Sequence, residues 1–584
     1  MRPTLTQWLP ILGWGRRYRG EHLAADGVAA AVVTLMLIPQ SLAYALLAGL
    51  PPQAGLYASM APLVLYALFG SSSTLAVGPA AVTSLMTAAA AGSVAAAGSM
   101  GYAQATLWLA LLSGAIMTLM GVLRLGFIAN FLSHPVVSGF VSASGLLIAS
   151  SQLKHLLGVP LHGETLLELL PQLAQRWPQT HLPTLAMGLS VLGFLVWARK
   201  RVKPLLRGWG ASPFVADLGA KAAPVLALLA SIAVAWQADL AAHGMKVVGH
   251  VPGGLPGWSW PGWDAQTWSA SVQPLLVPAL LISLVGFVES VSVGQSLAAR
   301  RRERIDPDAE LRGLGLSNLG AGLTGGFPVT GGFSRSVVNF DAGARTPAAG
   351  VYTAFGLALA ALCLTPALYH LPQATLAATI VVAVLSLVDW SAFAHTWRYS
   401  RTDFTALALT FGLTLTVGVD VGLLAGVGSS ILWLLYRSSR PHIATVGQVP
   451  GTEHYRNVQR HAVLTQPHIL GLRVDESLYF ANARYLEDHI AAAVAAQPAL
   501  RHVVLQCTAV NDIDASALES LEAINERLRE AGLQLHLSEV KGPVMDRLQH
   551  SHLLQHLGGQ VFLSHHQAIK TLLAPAQAGA VQQG

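Results

Sequence analysis

Hydrophobic and polar positions divide this chain into two regions of different rhythm. From about residue 25 to 437, long apolar runs alternate with short polar or basic connections, and runs of about 20 apolar residues match the hydrocarbon thickness of a bilayer. Candidate spans start near residues 27, 54, 79, 104, 130, 183, 218, 272, 312, 333, 348, 371, 403 and 420, which makes about fourteen. The runs near 79 and 333 are too short to cross alone. Those near 312 and 403 are weakly apolar, which is tolerated where a helix is buried in protein or lines a cavity. Beyond Pro441 the pattern changes. Ile469 to Val474, Val503 to Cys507, Leu533 to Leu537 and Gln560 to Leu563 read as strands. Arg484 to Ala496 and Ala515 to Ala531 read as amphipathic helices, and alternating strands and helices predict a small α/β domain. The tail after Leu573 is rich in Ala, Gln and Gly and reads as disordered.

The two short runs are also interrupted. One reads Leu75-Ala-Val-Gly78-Pro79-Ala-Ala-Val-Thr83-Ser84, the other Thr330-Gly331-Gly332-Phe333-Ser334-Arg335-Ser336. Each is broken by Gly or Pro and followed by residues that can start a half-helix. Broken segments at corresponding places in two halves point to a transporter's central site. About fourteen spans divide as two sets of seven, an odd number per set, so the second set would be inserted upside down. The breaks then fall at equivalent places, with half-helix N-termini opposed near the midplane. A helix N-terminus offers free N–H groups and a positive dipole end, so Arg335 at the start of the second half-helix suggests an anion.

Of the 584 residues 53% are hydrophobic and 11% charged, under half the roughly 25% usual in soluble domains. The net charge is +6. Its basic residues cluster beside spans, as Arg16-Arg17-x-Arg19, Arg199-Lys200-Arg201-x-Lys203, Arg300-Arg301-Arg302-x-Arg304 and Arg437-x-x-Arg440. With a cytoplasmic N-terminus these clusters all fall inside, and the opposite loops hold only Lys154, Arg176 and Lys246, a positive-inside bias that puts both ends in the cytoplasm. A nucleic-acid partner would need a continuous basic face and is not expected. Cys363 and Cys507, the two cysteines, make neither an expected disulfide nor a zinc framework. Residues 1–24 show no signal-peptide pattern. The late histidines His550, His552, His556, His565 and His566 lack carboxylate or Cys partners at metal spacing and read as solvated. No nucleophile set or phosphate loop suggests an enzyme.

Several longer stretches resemble the SulP anion transporters. They are Ile38-Pro39-Gln40-Ser41-Leu-Ala43-Tyr44 through Gly49-Leu-Pro51-Pro52-Gln-Ala-Gly55-Leu-Tyr57, Glu289-Ser290-Val-Ser-Val, and Gly331-Gly332-Phe333-Ser334-Arg335-Ser336 with Gly343-Ala-Arg345-Thr346. Val474-Asp475-Glu-Ser-Leu-Tyr479-Phe480-Ala-Asn482-Ala is similar to the start of that family's cytoplasmic STAS domain. The resemblance covers residues 10 to 575. It implies a seven-plus-seven inverted repeat with core and gate domains, usually a homodimer. It also places Phe333, Ser334 and Arg335 at the substrate site. The expected organisation is a 1–24 cytoplasmic segment, a 25–440 transport domain with repeats about 25–237 and 270–437, a 441–575 STAS domain and a 576–584 tail.

The candidate site follows. Arg335 would offset an anion's charge while backbone N–H groups and Ser334 donate hydrogen bonds; the alternatives are snorkelling or pairing with an acidic residue. Glu289 lies eleven residues before Arg300, about 16 Å into the membrane. It reads as a proton carrier, an ion-pair partner of Arg335 or a Na⁺ ligand. Gln40 and Tyr44 share one helix face and would line an oxyanion pocket. The first break offers N–H groups at Ala80, Ala81 and Val82, while the hydroxyls of Thr83 and Ser84 serve substrate or helix packing about equally. Asp26 reads as a structural residue at the start of the first span. In the C-terminal domain Ser516 falls at the phosphoserine position of the anti-sigma-factor-antagonist pattern, with Asp514 as helix N-cap the simpler reading. The expected activity is proton-coupled uptake of a small anion, sulfate first, across the inner membrane by alternating access. Sodium-coupled bicarbonate transport, proton-coupled C4-dicarboxylate transport and an uncoupled channel or exchanger are the alternatives. No cofactor is expected beyond a co-transported H⁺, or Na⁺.

Overall fold

A computed structural model describes residues 8–574, apart from 132, 162, 164, 211, 251, 263–267 and 269–271. It divides into two compact units, Met1–Ser430 and Ile431–Gly584, with the division inside one helix.

Helices begin close to every start read from the hydrophobic pattern. In the first half they are α1 Gly20–Leu47, α2 Pro52–Phe69, α3 Ala81–Gly92, α4 Met100–Val122, α5 His134–Ser151, α6 Leu182–Gly208 and α7 Pro213–Gln237. In the second half they are α8 Gln273–Arg301, α9 Pro307–Leu323, α10 Phe333–Asp341, α11 Ala348–Cys363, α12 Gln373–Leu385, α13 Arg401–Thr416 and α14 Val419–Ser439. Among the described residues, seven helices are long and apolar enough to cross a membrane by themselves. Many large apolar side chains of the helices are exposed, among them Leu226 and Leu229 of α7 and Phe355, Leu359 and Leu362 of α11, as expected for surfaces solvated by lipid rather than water.

The two halves repeat one order of elements. A 28-residue α1 matches a 29-residue α8, and an 18-residue α2 matches a 17-residue α9. Each pair leads into a two-residue strand and a short helix: β1 Val77–Gly78 before α3, and β2 Thr330–Gly331 before α10. The two strands pair antiparallel, Val77 with Gly331 and Gly78 with Thr330. This pairing gives the broken segments a hydrogen-bonding partner that a lone interrupted helix would lack.

Helices α1–α4 and α8–α11 pack on one another; α5 packs on α13 and α12, and α6 on α7 and α12. Helices α4 and α9 approach closely. A Cβ on Gly114 would lie 2.7 Å from the Gly315 carbonyl oxygen, and one on Gly315 2.8 Å from that of Gly114. Small residues allow this backbone contact. It buries α9, including Glu310 and Arg312, and accounts for that segment's weak hydropathy.

Two readings change. Helix α1 begins at Gly20, so Asp26 lies inside it and does not cap it. Fully buried, Asp26 instead accepts from the N–H groups of Arg345 (2.6 Å) and Thr346 (3.1 Å) and from the Thr346 hydroxyl (2.6 Å), fixing the chain just before α11. His565 is buried at 1% exposure, not solvated. It sits at the start of a helix whose inner face packs on a sheet.

That sheet belongs to the second unit and has six strands in the order β4-β3-β5-β6-β7-β8. They are β3 Ile443–Gln448, β4 Tyr455–Asn457, β5 Ile469–Val474, β6 His502–Gln506, β7 Gln534–Ser538 and β8 Val561–Phe562. Strands β5 to β8 run parallel, with β3 antiparallel between β4 and β5. Helices α15 Ala483–Ala495 and α16 Ala515–Glu530 contribute to the core on one face, with α17 Gly542–Leu548; α18 His565–Leu573 packs on the other. The pair β3–β4 precedes the stretch in which strands were expected. His565 Nδ1 meets Ser538 Oγ at 3.0 Å, while His536 Nδ1 accepts from the Gln560 N–H at 3.0 Å. Burial pushes the pKa of each histidine from 6.5 down to about 4.

Those two histidines fold neutral. Between pH 6.5 and about 4 the unfolded chain therefore binds more protons, and their contribution to stability, complete above 6.5, is lost as the pH falls. Hydrogen exchange of β6 to β8 in the full-length protein, corrected for intrinsic rate, is expected to show weaker protection at pH 5 than at pH 7. Replacing both by Gln flattens that difference, and an equal pH dependence in wild type and variant contradicts this account.

Candidate functional site

The strand pair sets two helix N-termini side by side. The first intrahelical bonds run from Ser84 N to the Ala80 carbonyl (2.9 Å) and from Ser336 N to the Gly332 carbonyl (3.0 Å). The N–H groups of the residues just before these bonds point out of each helix, toward the gap between the breaks. Short polar side chains hold the irregular backbone. Ser290 accepts from the Gly331 N–H at 2.9 Å and donates to the Gly286 carbonyl at 2.6 Å. Ser336 accepts from the Ala76 N–H at 3.0 Å, and Asn339 donates to the Thr74 carbonyl at 3.0 Å. Asn318 donates to the Val329 carbonyl and accepts from the Val329 N–H, at 2.9 and 2.8 Å.

A cavity of about 450 Å³ lies against these N-termini. Gln40, Tyr44, Ala80, Ala81, Glu289, Phe333, Ser334 and Arg335 all line it, so residues from four separate segments converge. Phe333 and Ser334 face its open space, while Arg335 is 2% exposed. The Arg335 guanidinium reaches across to the other break. Nη1 donates to the Pro79 carbonyl, and Nη2 donates to those of Gly78 (3.0 Å) and Thr330 (3.3 Å). Its Nε is buried without a partner. Arg335 thus neither snorkels nor pairs with an acid through a hydrogen bond; it ties one half-helix to the carbonyls preceding the other. Glu289 Oε2 is likewise buried without a hydrogen-bond partner. The cavity lining therefore combines the guanidinium groups of Arg335 and Arg199, the carboxylates of Glu289 and Asp341, two sets of N–H donors, the hydroxyls of Tyr44, Ser334 and Ser386, and the Gln40 amide. That donor set suits a small oxyanion.

Two glycines keep room for the guanidinium. A Cβ on Gly332 would lie 2.8 Å from Arg335 Nη2, and one on Gly78 3.3 Å from Nη1. Thr83 and Ser84 do not line the cavity: both are fully buried, and the Thr83 hydroxyl donates to the Ala80 carbonyl at 3.2 Å. Sequence reasoning missed Arg199, Asp341 and Ser386 as lining residues. Arg199 carried a signal, its place in a basic cluster, but that was read as topology. The bracing roles of Asn318 and Asn339 had no sequence signal beyond an amide within an apolar stretch. Ser516 is exposed at the second residue of α16, with Asp514 capping by accepting from the Ala517 N–H at 2.8 Å.

Residues 23–410 match the model of the sulfate permease family. The chain belongs to that family. Residues 461–568 match the STAS domain. This permease-family chain is 33% identical over 599 residues to sulfate transporter 4.1, chloroplastic, of Arabidopsis thaliana, covering 99% of this chain and 84% of the relative. It is 34% identical over 565 residues to probable sulfate transporter Rv1739c of Mycobacterium tuberculosis, covering 96% and 97%. Among solved structures, SLC26A9 superposes with a TM-score of 0.88 at 21% identity, covering 98% of this chain and 93% of that one. The transmembrane domain of the cyanobacterial bicarbonate transporter BicA superposes with a TM-score of 0.58 at 20% identity over 71% of this chain. The permease is therefore a multi-pass membrane protein of an anion-transporter family with a C-terminal STAS domain, and it stands among transporters rather than enzymes.

The space at Gly332 gives a direct check. Gly332→Ala forces the guanidinium from its carbonyls, and anion affinity is expected to fall about tenfold or more, a loss of about 1.4 kcal/mol per decade. Ser334→Ala removes one hydroxyl donor and is expected to cost less, about two- to tenfold. Titration of the purified protein with radiolabelled sulfate measures both; wild-type affinity in Gly332→Ala contradicts the arrangement.

Proposed function

We propose that this protein is a secondary active transporter of a small inorganic anion, with sulfate as first substrate and a co-transported proton. The observation that carries this reading is the convergence of Gln40, Tyr44, Ser334, Arg335 and the two half-helix N-termini on one cavity beside Glu289. The anion binds between the N-termini of α3 and α10, where N–H groups and the guanidinium offset its charge. Sulfate is preferred because the relatives matched along their length carry that name.

Glu289 is the coupling residue in this reading. Its Oε2 lacks a hydrogen bond and it shares the cavity with Arg335, so the protein can bear its protonated form on one leg of the cycle and its charged form on the other. Alternating access comes from movement of the group α1–α4 with α8–α11 against the group built on α5–α7 and α12–α14. In the same reading about fourteen segments cross the plasma membrane in two inverted sets, and the positive-inside bias of the basic clusters has both chain ends in the cytoplasm. A homodimer belongs to the same reading. Ser516, exposed at a helix start, is where a phosphate would be accommodated if the STAS domain is regulated in that way.

Sulfate uptake into proteoliposomes is the deciding experiment, with an inward proton gradient, an inward sodium gradient or neither. The expected result is uptake stimulated by the proton gradient alone. Stimulation by sodium alone transfers Glu289 to a cation site, uptake indifferent to both gradients favours an exchanger or channel, and absence of sulfate uptake turns the search to bicarbonate and C4-dicarboxylates. Glu289→Gln is expected to abolish the response to the pH gradient while retaining anion binding. A surviving response overturns the coupling role.

A further inference from the structure

Two cavities follow each other along the same two helices. On α1, Gln40 and Tyr44 line the central cavity and Leu47 lines a second, smaller one of about 130 Å³. On α3, Ala81 lines the first, and Leu85 and Ala88 the second. In each helix these positions are spaced by four and then three residues, so one continuous stripe faces a single track. The step from Ala81 to Ala88 is about 10 Å by helix rise. At one end the central cavity reaches Arg199 and Ser386. The second cavity lies at the other end, beyond Tyr44 and Leu85.

The charged residue lining this second cavity is Lys154, just beyond α5. Its polar neighbours there are Ser151 and Gln152; Gln152 is buried and its amide nitrogen donates to Ser151 Oγ at 3.2 Å. A second ammonium, that of Lys246, bears electrostatically on both Lys154 and His155. Lys246 is exposed, and its backbone is tied to the start of α12. The Gln373 N–H donates to the Lys246 carbonyl at 3.0 Å, and the Gln373 side chain bonds to His155. Arg176, the remaining cation of these loops, is bound to the Pro160 carbonyl. Two carboxylates lie close to the cavity rim, Glu168 exposed beside Gly163 and Asp420 next to Val419, and neither lines the cavity. An ammonium lining a low-dielectric cavity, with a second ammonium acting on it, is costly, and a bound anion offsets that cost.

We propose that Lys154, backed by Lys246, forms a second anion station on the translocation track, on the side of the central site opposite Arg199. It rests on the reading of the protein as an anion transporter. The station draws a small oxyanion toward the seam between α1–α3 and α5, and the central N-termini receive it when that seam opens. The apolar Leu47, Leu85 and Leu147 line the second cavity beside Lys154.

Sulfate uptake measured separately from each membrane face, in vesicles of the two orientations, tests this. Lys154→Gln is expected to raise KM from the Lys154 face about tenfold at low ionic strength, and by a smaller factor at 0.5 M salt, where the field is screened. Lys154→Arg restores the wild-type value. KM from the Arg199 face moves by less than about twofold. Equal KM values for wild type and Lys154→Gln on both faces, or an equal rise on both, overturn the second station. Equilibrium binding of sulfate to the same purified variants separates the two levels. If wild-type protein neither binds nor transports sulfate, bicarbonate or succinate, it is the transporter reading that fails; if it transports and Lys154→Gln leaves the two faces alike, only the station fails.

Discussion

A buried guanidinium holds the two halves of the membrane unit together at their weakest place. Helices cross an apolar medium because every backbone group is satisfied within the helix, and a break forfeits that. Here both halves break at the same depth in their element order, and the strands β1 and β2 satisfy part of each other. Arg335 satisfies three further carbonyls, donating to those of Gly78, Pro79 and Thr330. Removing a charge from water costs several kcal/mol even after relaxation. Three carbonyl dipoles repay part of that cost without neutralising the charge. The net positive character left at the junction is what a mobile anion can complete.

The surrounding residues follow from this constraint. Serines and asparagines with short, fixed reach brace the chain on either side of each break: Ser290 and Asn318 around β2, Ser336 and Asn339 around β1. Farther out, a buried carboxylate fixes one end of each broken segment. Glu310 in α9 accepts from the N–H groups of Ser71 and Ser72 at 2.9 and 3.0 Å, ahead of β1. Asp26 in α1 accepts from those of Arg345 and Thr346, after α10. In both cases a helix of one half secures a loop of the other. Half-helix α10, held by β1 ahead of its start and by Asp26 beyond its end, can keep its N-terminus aimed at the cavity without relying on its own length.

Much of this was legible because the physics that marks a membrane segment is local. Apolar run length places every helix start from α1 to α14, and the Gly and Pro breaks locate β1, β2 and the half-helices. The site residues were legible for a related reason: an arginine inside an apolar run, or Gln40 four residues before Tyr44, departs from the local rule. What was not legible is pairwise. Nothing in the sequence says that Arg335 ends on carbonyls 256 and 257 residues away, that Asp26 serves the start of α11, or that Thr83 satisfies its own helix. His565 was misread because its neighbours are polar, whereas its burial comes from the register of α18 on the sheet. Strands β3 and β4 escaped because β3 follows almost directly on the last apolar helix and β4 has only 3 residues.

The halves match in backbone and differ in chemistry, and that difference argues for where selectivity resides. The α3 terminus presents Ala80, Ala81 and Val82, so it offers an anion backbone N–H groups alone. The α10 terminus presents Phe333, Ser334 and Arg335, and the facing long helices add Gln40 and Tyr44 from α1 and Glu289 from α8. A symmetric pair of N-termini would hold any anion of the right size, because N–H dipoles read charge and little else. Side chains on one side only give the site a direction, with a hydroxyl and an amide that fix oxygen positions and a carboxylate that resists a second negative charge unless protonated. Under the proposed function, the α3 half would supply affinity common to all small anions. The α10 half, with its partners on α1 and α8, would then decide which anion is accepted and at what protonation state.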